Sequence, residues 1–198
     1  MDVEAAVAGN WHHLCVDMQR MFAEETPWHV DWMNSIADNV VELAGQHAAR
    51  TTFTRFVPPR SSHYARGAWR EYYQKWQELT LDRLPLDLVD LIGPLQRYVP
   101  PGLMFDKPVY SPWFDGRLHD RLQCAGIETL AVTGGETDVC VLATVLGAID
   151  LGYRILLVGD AVCSGRDQTH DAALELLSAR FSCQVAVVPT EDFLLLTH

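Results

Sequence analysis

Six short, β-branched apolar runs separated by helix-periodic stretches constrain this chain more than any other feature. The strand-like runs fall at 13–16, 51–54, 103–105, 129–133, 154–158 and 184–188. Between them the apolar residues recur with helical spacing at about 30–48, 68–79, 116–125, 139–151 and 168–179, with a short C-terminal stretch from Glu191. Strand and helix in alternation predict parallel strands joined by right-handed crossovers, with helices covering both faces. The fold class is therefore α/β, open and doubly wound. Sheets of this kind place ligands beyond the carboxyl ends of their strands, so the polar residues that directly follow a strand are the ones to inspect.

Composition narrows the function classes. With 198 residues, 48% of them apolar and no charge block or low-complexity tract, the chain reads as one globular domain over 1–198. Proline-rich stretches at 58–62 and 84–102 read as surface excursions within it. No apolar run reaches the roughly 18 residues of a membrane span, and the start, Met1-Asp2-Val3-Glu4, lacks the charged and apolar regions of a secretory signal, so a cytoplasmic location is expected. Cysteines 15, 124, 140, 163 and 183 are odd in number and lack metal-type spacing, which fits reduced thiols. A formal net charge of −11 argues against nucleic acid or acidic membranes as partners and leaves a small-molecule substrate as the expectation.

Three strand ends carry candidate chemistry. In Gly134-Gly135-Glu136-Thr137-Asp138-Val139-Cys140-Val141 a cysteine sits where an apolar strand gives way to a helix-periodic stretch. In a first helical turn, unpaired N–H groups and the positive end of the helix dipole favour thiolate over thiol. The Cys140 pKa is thus expected to fall from ~8.5, leaving a nucleophile. The alternative is plain packing, since free cysteine is among the most buried residue types. Asp17 directly follows the first strand, as a functional carboxylate or as a cap or turn former. Lys107 follows the third, and the only other lysine, Lys75, lies in a polar helical stretch. Lysine can lose its proton when desolvated, which arginine effectively cannot. A carboxylate, an ammonium and a thiol meeting in one crevice would supply a proton shuttle, an electrostatic partner and a nucleophile.

Several pieces occur in order along the chain: Asp17-Met18-Gln19, Lys107 with Tyr110-Ser111 and Phe114, the segment from Gly134 to Val141 with Thr144, Gly152-Tyr153-Arg154, Asp160-Ala161-Val162 and His170. On these the chain resembles the isochorismatase-like superfamily of cysteine hydrolases, most thinly between Val57 and Gly102. The resemblance implies an open three-layer αβα sandwich with a mostly parallel six-stranded sheet. It implies a catalytic triad of Asp17, Lys107 and Cys140, and cleavage of a C–N bond in a small amide, ureide or carbamoyl compound through a thioester on Cys140. No cofactor and a homo-oligomer, dimer or tetramer, are implied as well. The backbone N–H groups of Glu136 and Cys140 would form the oxyanion hole, with a cis peptide at Gly135-Glu136 aiming the former. Thr137 would brace the loop and Asp138 would start the helix. Two other readings stay open within the superfamily: a vinyl-ether hydrolase using Asp17 as acid, and a non-catalytic member of the fold. A redox-sensing thiol would need a resolving cysteine, and no sequence neighbour of Cys140 supplies one.

Nicotinamidases of the superfamily carry an Asp-x-His metal site after the second strand, where this chain has Thr54-Arg55-Phe56. Neither Thr nor Phe brings a carboxylate or imidazole, so no catalytic metal is expected and nicotinamide is disfavoured as substrate. His12 and His13, adjacent on a strand, face opposite ways and form no ligand pair. For the substrate pocket the candidates are Trp28, His63 and Trp113, with Arg166 as a bidentate partner for a substrate carboxylate or as a surface salt bridge. Trp69, Tyr72, Tyr73 and Trp76, at i, i+3, i+4 and i+7, are expected to pack on the core or on another subunit. Cys15 and Cys163 are expected to be packing residues.

Overall fold

Strands β1 (Trp11–Val16), β2 (Thr51–Phe56), β3 (Leu103–Lys107), β4 (Thr129–Gly135), β5 (Arg154–Cys163) and β6 (Val185–Val188) form one sheet in the computed structural model, which describes residues 1–198. Their order is β3-β2-β1-β4-β5-β6. Every neighbouring pair is parallel, so the sheet is wholly rather than mostly so. From β1 the chain works outward to β3 and then returns to the other side of β1 as β4. The strand order reverses between β1 and β4, the place where open α/β sheets hold their ligands.

Nine α-helices connect and cover the strands: α1 (Val3–Ala8), α2 (Arg20–Ala23), α3 (Met33–Gln46), α4 (Ala68–Lys75), α5 (Gly93–Gln96), α6 (Arg117–Cys124), α7 (Leu142–Asp150), α8 (Asp167–Arg180) and α9 (Thr190–Thr197). The apolar residues of the sheet divide by the two-residue period of a strand. Cys15, Leu156 and Val158 join the core made with Met33, Ile36, Val40 and Leu43 of α3 and Phe193 of α9. Leu14, Val16, Ile155 and Leu157 join the opposite core, with Leu118 and Leu122 of α6, Val145 of α7 and Leu177 of α8. Both faces are thus buried, which gives three layers. No helix is long and apolar enough to cross a membrane.

The strands run further at their carboxyl ends than the apolar runs suggest. Arg55 and Asp106 look like loop residues, yet they are register partners on β2 and β3, and their side chains form a two-pronged ion pair at 2.8 and 2.9 Å. Beyond an irregularity at Val132 and Gly134, β4 and β5 pair again through Gly134 with Val162 and Gly135 with Cys163. The short α1 goes unseen in the sequence because six residues give too little periodicity; an Asp2 carboxylate accepting the Ala5 N–H at 3.1 Å marks its start. The excursion between β2 and β3 is anchored by Gln19. Its buried amide donates to the carbonyls of Phe56 and Val89 at 3.1 and 2.7 Å, and accepts the Phe56 N–H at 2.6 Å.

Two β1 histidines are held neutral by the sheet. His13 is fully buried between the hydroxyls of Thr51 and Thr133, and burial, then its neighbours His12 and His47, push its pKa well below the ordinary value. His12 bonds Thr52 at 2.9 Å and is lowered to about 4 by burial first and by Arg50 and Arg121 next. In the unfolded chain both bind protons below about pH 6.5 while the folded chain refuses them, so stability falls as pH drops through that point. For His12 alone the expected loss between about pH 7 and pH 5 is about 2 kcal/mol. Thermal unfolding midpoints across that range should decline, and should decline less in His12→Gln.

Candidate active site

The carboxyl ends of β1, β2 and β3 converge on one buried ion pair. Lys107, the last residue of β3, donates from Nζ to Asp17 Oδ2 at 2.7 Å, and the two side chains are 0% and 1% exposed. Thr54 of β2, between them in the sheet, donates its hydroxyl to Asp17 Oδ1 at 2.6 Å, while its Oγ1 and carbonyl both accept the Asp17 N–H. Lys107 Nζ also reaches the Val109 carbonyl at 3.2 Å. Asp17 adopts the left-handed conformation, φ 47°, and is the only non-glycine residue to do so. Aspartate tolerates this region better than most residues, and such positions cost of order 1–3 kcal/mol. Burial by itself would push the Lys107 ammonium down, but the Asp17 carboxylate and Cys140 more than offset it and hold its pKa above the ordinary value.

The nucleophile candidate arrives from β4. Gly134, with φ 105°, lies where β4 meets the end of β1, and a Cβ there would run into the Val16 backbone. Only glycine lets the two strand ends that carry Asp17 and Cys140 approach so closely. A cis peptide follows at Gly135-Glu136, and then a π-helical turn, Thr137–Val141, that leads into α7. Within it the Glu136 carbonyl accepts from Val139 N and Val141 N at 3.1 and 3.0 Å and passes over the Cys140 N–H between them. The Glu136 N–H, outside both β4 and the turn, donates to no protein acceptor.

Residues after β5 brace this turn. Thr137 donates to the Cys163 carbonyl at 3.1 Å and Ser164 donates to Asp138 at 2.5 Å, so Asp138 ties the turn to the β5 loop rather than capping a helix. Gly165 N–H donates to Glu136 Oε2 at 3.1 Å. His170 Nδ1 lies 3.0 Å from Thr137 Oγ1; because that hydroxyl's one proton faces Cys163, Nδ1 is the donor. Thr144 closes the set by donating to the Cys140 carbonyl at 2.7 Å.

The lowered thiol pKa expected from helix position is reversed. Cys140 is 6% exposed, and burial, then the Asp17 charge, push its thiol well above the ordinary value, with Glu136 adding to them and Lys107 opposing. A helix N-terminus contributes at most about 2 kcal/mol, and here desolvation outweighs it. The resting group is a thiol beside a carboxylate able to take its proton.

A cavity of about 130 Å³ opens on Cys140, lined also by Phe22, Trp28, Phe56, Tyr72, Tyr110, Glu136 and Val139. That is smaller than the ~300–1,000 Å³ of pockets for drug-sized ligands. Of the pocket candidates, Trp28 lines it and three do not. His63 is exposed in a short 3₁₀ turn of the excursion, and Arg166 is exposed at the start of α8. Trp113 packs on α7 instead: its Nε1 donates to the Thr144 carbonyl at 2.9 Å, and its ring lies against Gly147 and stacks on Tyr153. The aromatic stripe divides, with Tyr73 buried in the core and Tyr72 in the cavity wall. Phe56, at the position read as a missing metal ligand, is part of the same wall. Phe22 and Val139 carry no signal that separates them from core residues. Burial pushes Cys15 and Cys163 up to about 12 each, as fits packing thiols.

Comparison with known proteins follows the same lines. The chain is 33% identical over 106 residues to the ureidoacrylate amidohydrolase RutB of Stutzerimonas stutzeri, a match covering 54% of this chain and 36% of that protein, so the matched stretch spans about a third of that relative. To a probable inactive nicotinamidase of Arabidopsis thaliana it is 25% identical over 184 residues, 84% of this chain and 88% of the other. In fold it superposes on a cysteine hydrolase from Pseudomonas syringae with a TM-score of 0.80 at 21% identity, covering 95% and 92% of the two chains. A nicotinamidase/pyrazinamidase from Bacillus subtilis gives 0.72 at 22% identity, covering 90% and 100%. With the isochorismatase domain model matched over residues 12–192, the chain belongs to the isochorismatase family.

Proposed function

We propose that this hydrolase cleaves a C–N bond in a small amide, ureide or carbamoyl compound, with Cys140 as nucleophile and Asp17 and Lys107 completing a triad. The observation that carries the reading is the Asp17–Lys107 pair, buried at 2.7 Å and acting electrostatically on a thiol at the wall of a small cavity. The relatedness to ureidoacrylate amidohydrolases supports the bond type.

In this scheme the Cys140 sulfur attacks the substrate carbonyl carbon as its proton passes to Asp17. The developing oxyanion takes hydrogen bonds from the backbone N–H groups of Glu136 and Cys140, and losing one such donor typically costs ~2.7–4 kcal/mol of barrier. Asp17 returns the proton to the nitrogen, the C–N bond breaks, and ammonia or an amine leaves a thioester. Water, deprotonated in turn by Asp17, adds to the thioester and releases the acid and the free thiol. Lys107 holds Asp17 in place through the buried ion pair. The residues at the position of the nicotinamidase metal site do other work: Thr54 orients Asp17 and Phe56 walls the cavity, so no step needs a metal.

A second reading, a member of the fold without hydrolytic activity, draws on the long match to a probable inactive nicotinamidase. Ammonia release from a panel of small amides and ureides, with chelator present, separates the two. Turnover should fall at least about a thousandfold in Cys140→Ala and be indifferent to chelator. Ammonia release that survives the substitution would overturn Cys140 as the nucleophile, and none at all would favour the inactive member or a vinyl-ether hydrolase using Asp17 as acid, whose reaction frees no ammonia.

Two further outcomes follow from the buried charges. Because the Cys140 pKa is raised, the neutral thiol dominates below that raised value. At about pH 8, where an unperturbed thiol near ~8.5 is already partly ionised, subtracting the ultraviolet spectrum of Cys140→Ser from that of the wild type should leave no thiolate band. Lys107→Met strands a buried carboxylate and should cost about 3–5 kcal/mol in denaturant unfolding, with part of the loss recovered in Asp17→Asn combined with Lys107→Met.

A further inference from the structure

The cavity wall carries an unbalanced charge. Five of its eight lining residues are aromatic, Glu136 is the one carboxylate among them, and none is Arg, Lys or His. Lys107 does not supply the missing cation. Its side chain is 0% exposed, paired with Asp17 and bonded to the Val109 carbonyl, and it lies 5.4 Å from the centre of the Phe56 ring. The Asp17–Lys107 pair is neutral as a unit. Glu136 has no such partner: burial first, and Asp138 after it, raise its pKa, the Gly165 N–H that its carboxylate accepts opposes them, and it forms no salt bridge, while Arg166, which follows Gly165, is exposed to solvent. The charge is felt across the cavity, for Glu136 contributes to raising Tyr72, Tyr110 and Cys140, in each case after burial as the first cause. The hydrogen-bonding side chains on offer besides Glu136 and the Cys140 thiol are neutral: the phenols of Tyr72 and Tyr110 and the indole N–H of Trp28, which is buried without a partner.

We infer that this cavity admits uncharged amides and ureides and turns away substrates that carry a carboxylate, with the Glu136 side chain setting the preference. The inference rests on the hydrolytic reading and adds to it the charge class of the substrate. Of the two roles open to Arg166, it disfavours that of partner to a substrate carboxylate, since a cavity with an uncompensated carboxylate and no cation offers nothing to a substrate anion. It also fits the product. Hydrolysis of a neutral amide consumes water and yields a carboxylic acid and ammonia; the acid ionises at neutral pH, and the charge that excludes anionic substrates then helps to expel it.

Alkylation tests the charge preference without requiring amidase activity. Iodoacetamide and iodoacetate both form an S–CH2 bond with loss of iodide and the thiol proton, and differ in that one carries a neutral amide and the other a carboxylate. Timed reactions of the wild-type chain, mapped by peptide mass, give the amide-to-acetate rate ratio at Cys140, with the exposed thiols of Cys124 and Cys183 as internal references. The ratio at Cys140 should exceed the reference ratios at least about tenfold, as like-charge exclusion in a desolvated site requires. In Glu136→Gln it should fall at least about threefold, and in Val139→Lys, which adds a cation to the same wall, it should fall further. A Cys140 ratio no larger than the references overturns the inference, as does a ratio that neither folded variant changes, or a Cys140 inert to both reagents while Cys124 reacts. Silence of every amide and ureide in the ammonia assay would instead sink the C–N cleavage reading, so the two failures are told apart.

Discussion

The ion pair between Asp17 and Lys107 is the constraint on which the rest of the site depends. Two charges taken from water lose several kcal/mol of solvation each, and they are tolerated only when their mutual geometry is good and their remaining hydrogen-bonding capacity is met. Here Thr54, Lys107 and the Val109 carbonyl meet it. Thr54 lies on β2, Lys107 ends β3 with Val109 just past it, and Asp17 directly follows β1. The pair therefore requires those three strands to be parallel, adjacent and level at their carboxyl ends, and the register of β2 with β3 supplies that alignment through Phe56 opposite Lys107. Chemistry and topology are coupled: a slip in register would leave a charge buried alone.

Against that fixed pair the thiol is brought in by backbone geometry. Gly134 lets β4 close on Val16, and the turn that follows is pinned by Thr137, Asp138 and Glu136 to the loop after β5. The turn's position is thus set by neighbours on the far side of Cys140 from Asp17. A site held from both sides loses little entropy when a substrate arrives, which is where preorganised hydrogen-bond donors gain their catalytic worth.

Much of this was legible in the residues. All six strands could be placed, because parallel strands buried on both faces are written as short apolar runs. Asp17, Lys107 and Cys140 could be picked out because each follows such a run. What stayed hidden were contacts that depend on which strands become neighbours. Thr54 reads as an ordinary β-branched residue until β2 is seen beside β1, and Phe56 reads as the absence of a metal ligand rather than as a wall. Tyr72 and Tyr73 have the same helical stripe in common, yet the fold of the 57–102 excursion sends one to the cavity and the other to the core. Trp113 packs away from the cavity for the converse reason: nothing in the sequence announces that Gly147, 34 residues later, leaves a slot for its ring.

The thiol's ionisation shows how a sound local rule yields to its surroundings. A helix start does favour a thiolate, but burial and an adjacent carboxylate push Cys140 the other way. Under the proposed mechanism this is an advantage. A standing thiolate reacts with any passing oxidant, because susceptibility follows thiolate character, whereas a thiol that ionises only as Asp17 accepts its proton becomes nucleophilic when a carbonyl is already in place to receive the electrons. The same negative surroundings that hold the proton on sulfur also oppose a second negative charge in the cavity. Protection of the resting nucleophile and discrimination by substrate charge would then be two consequences of one field.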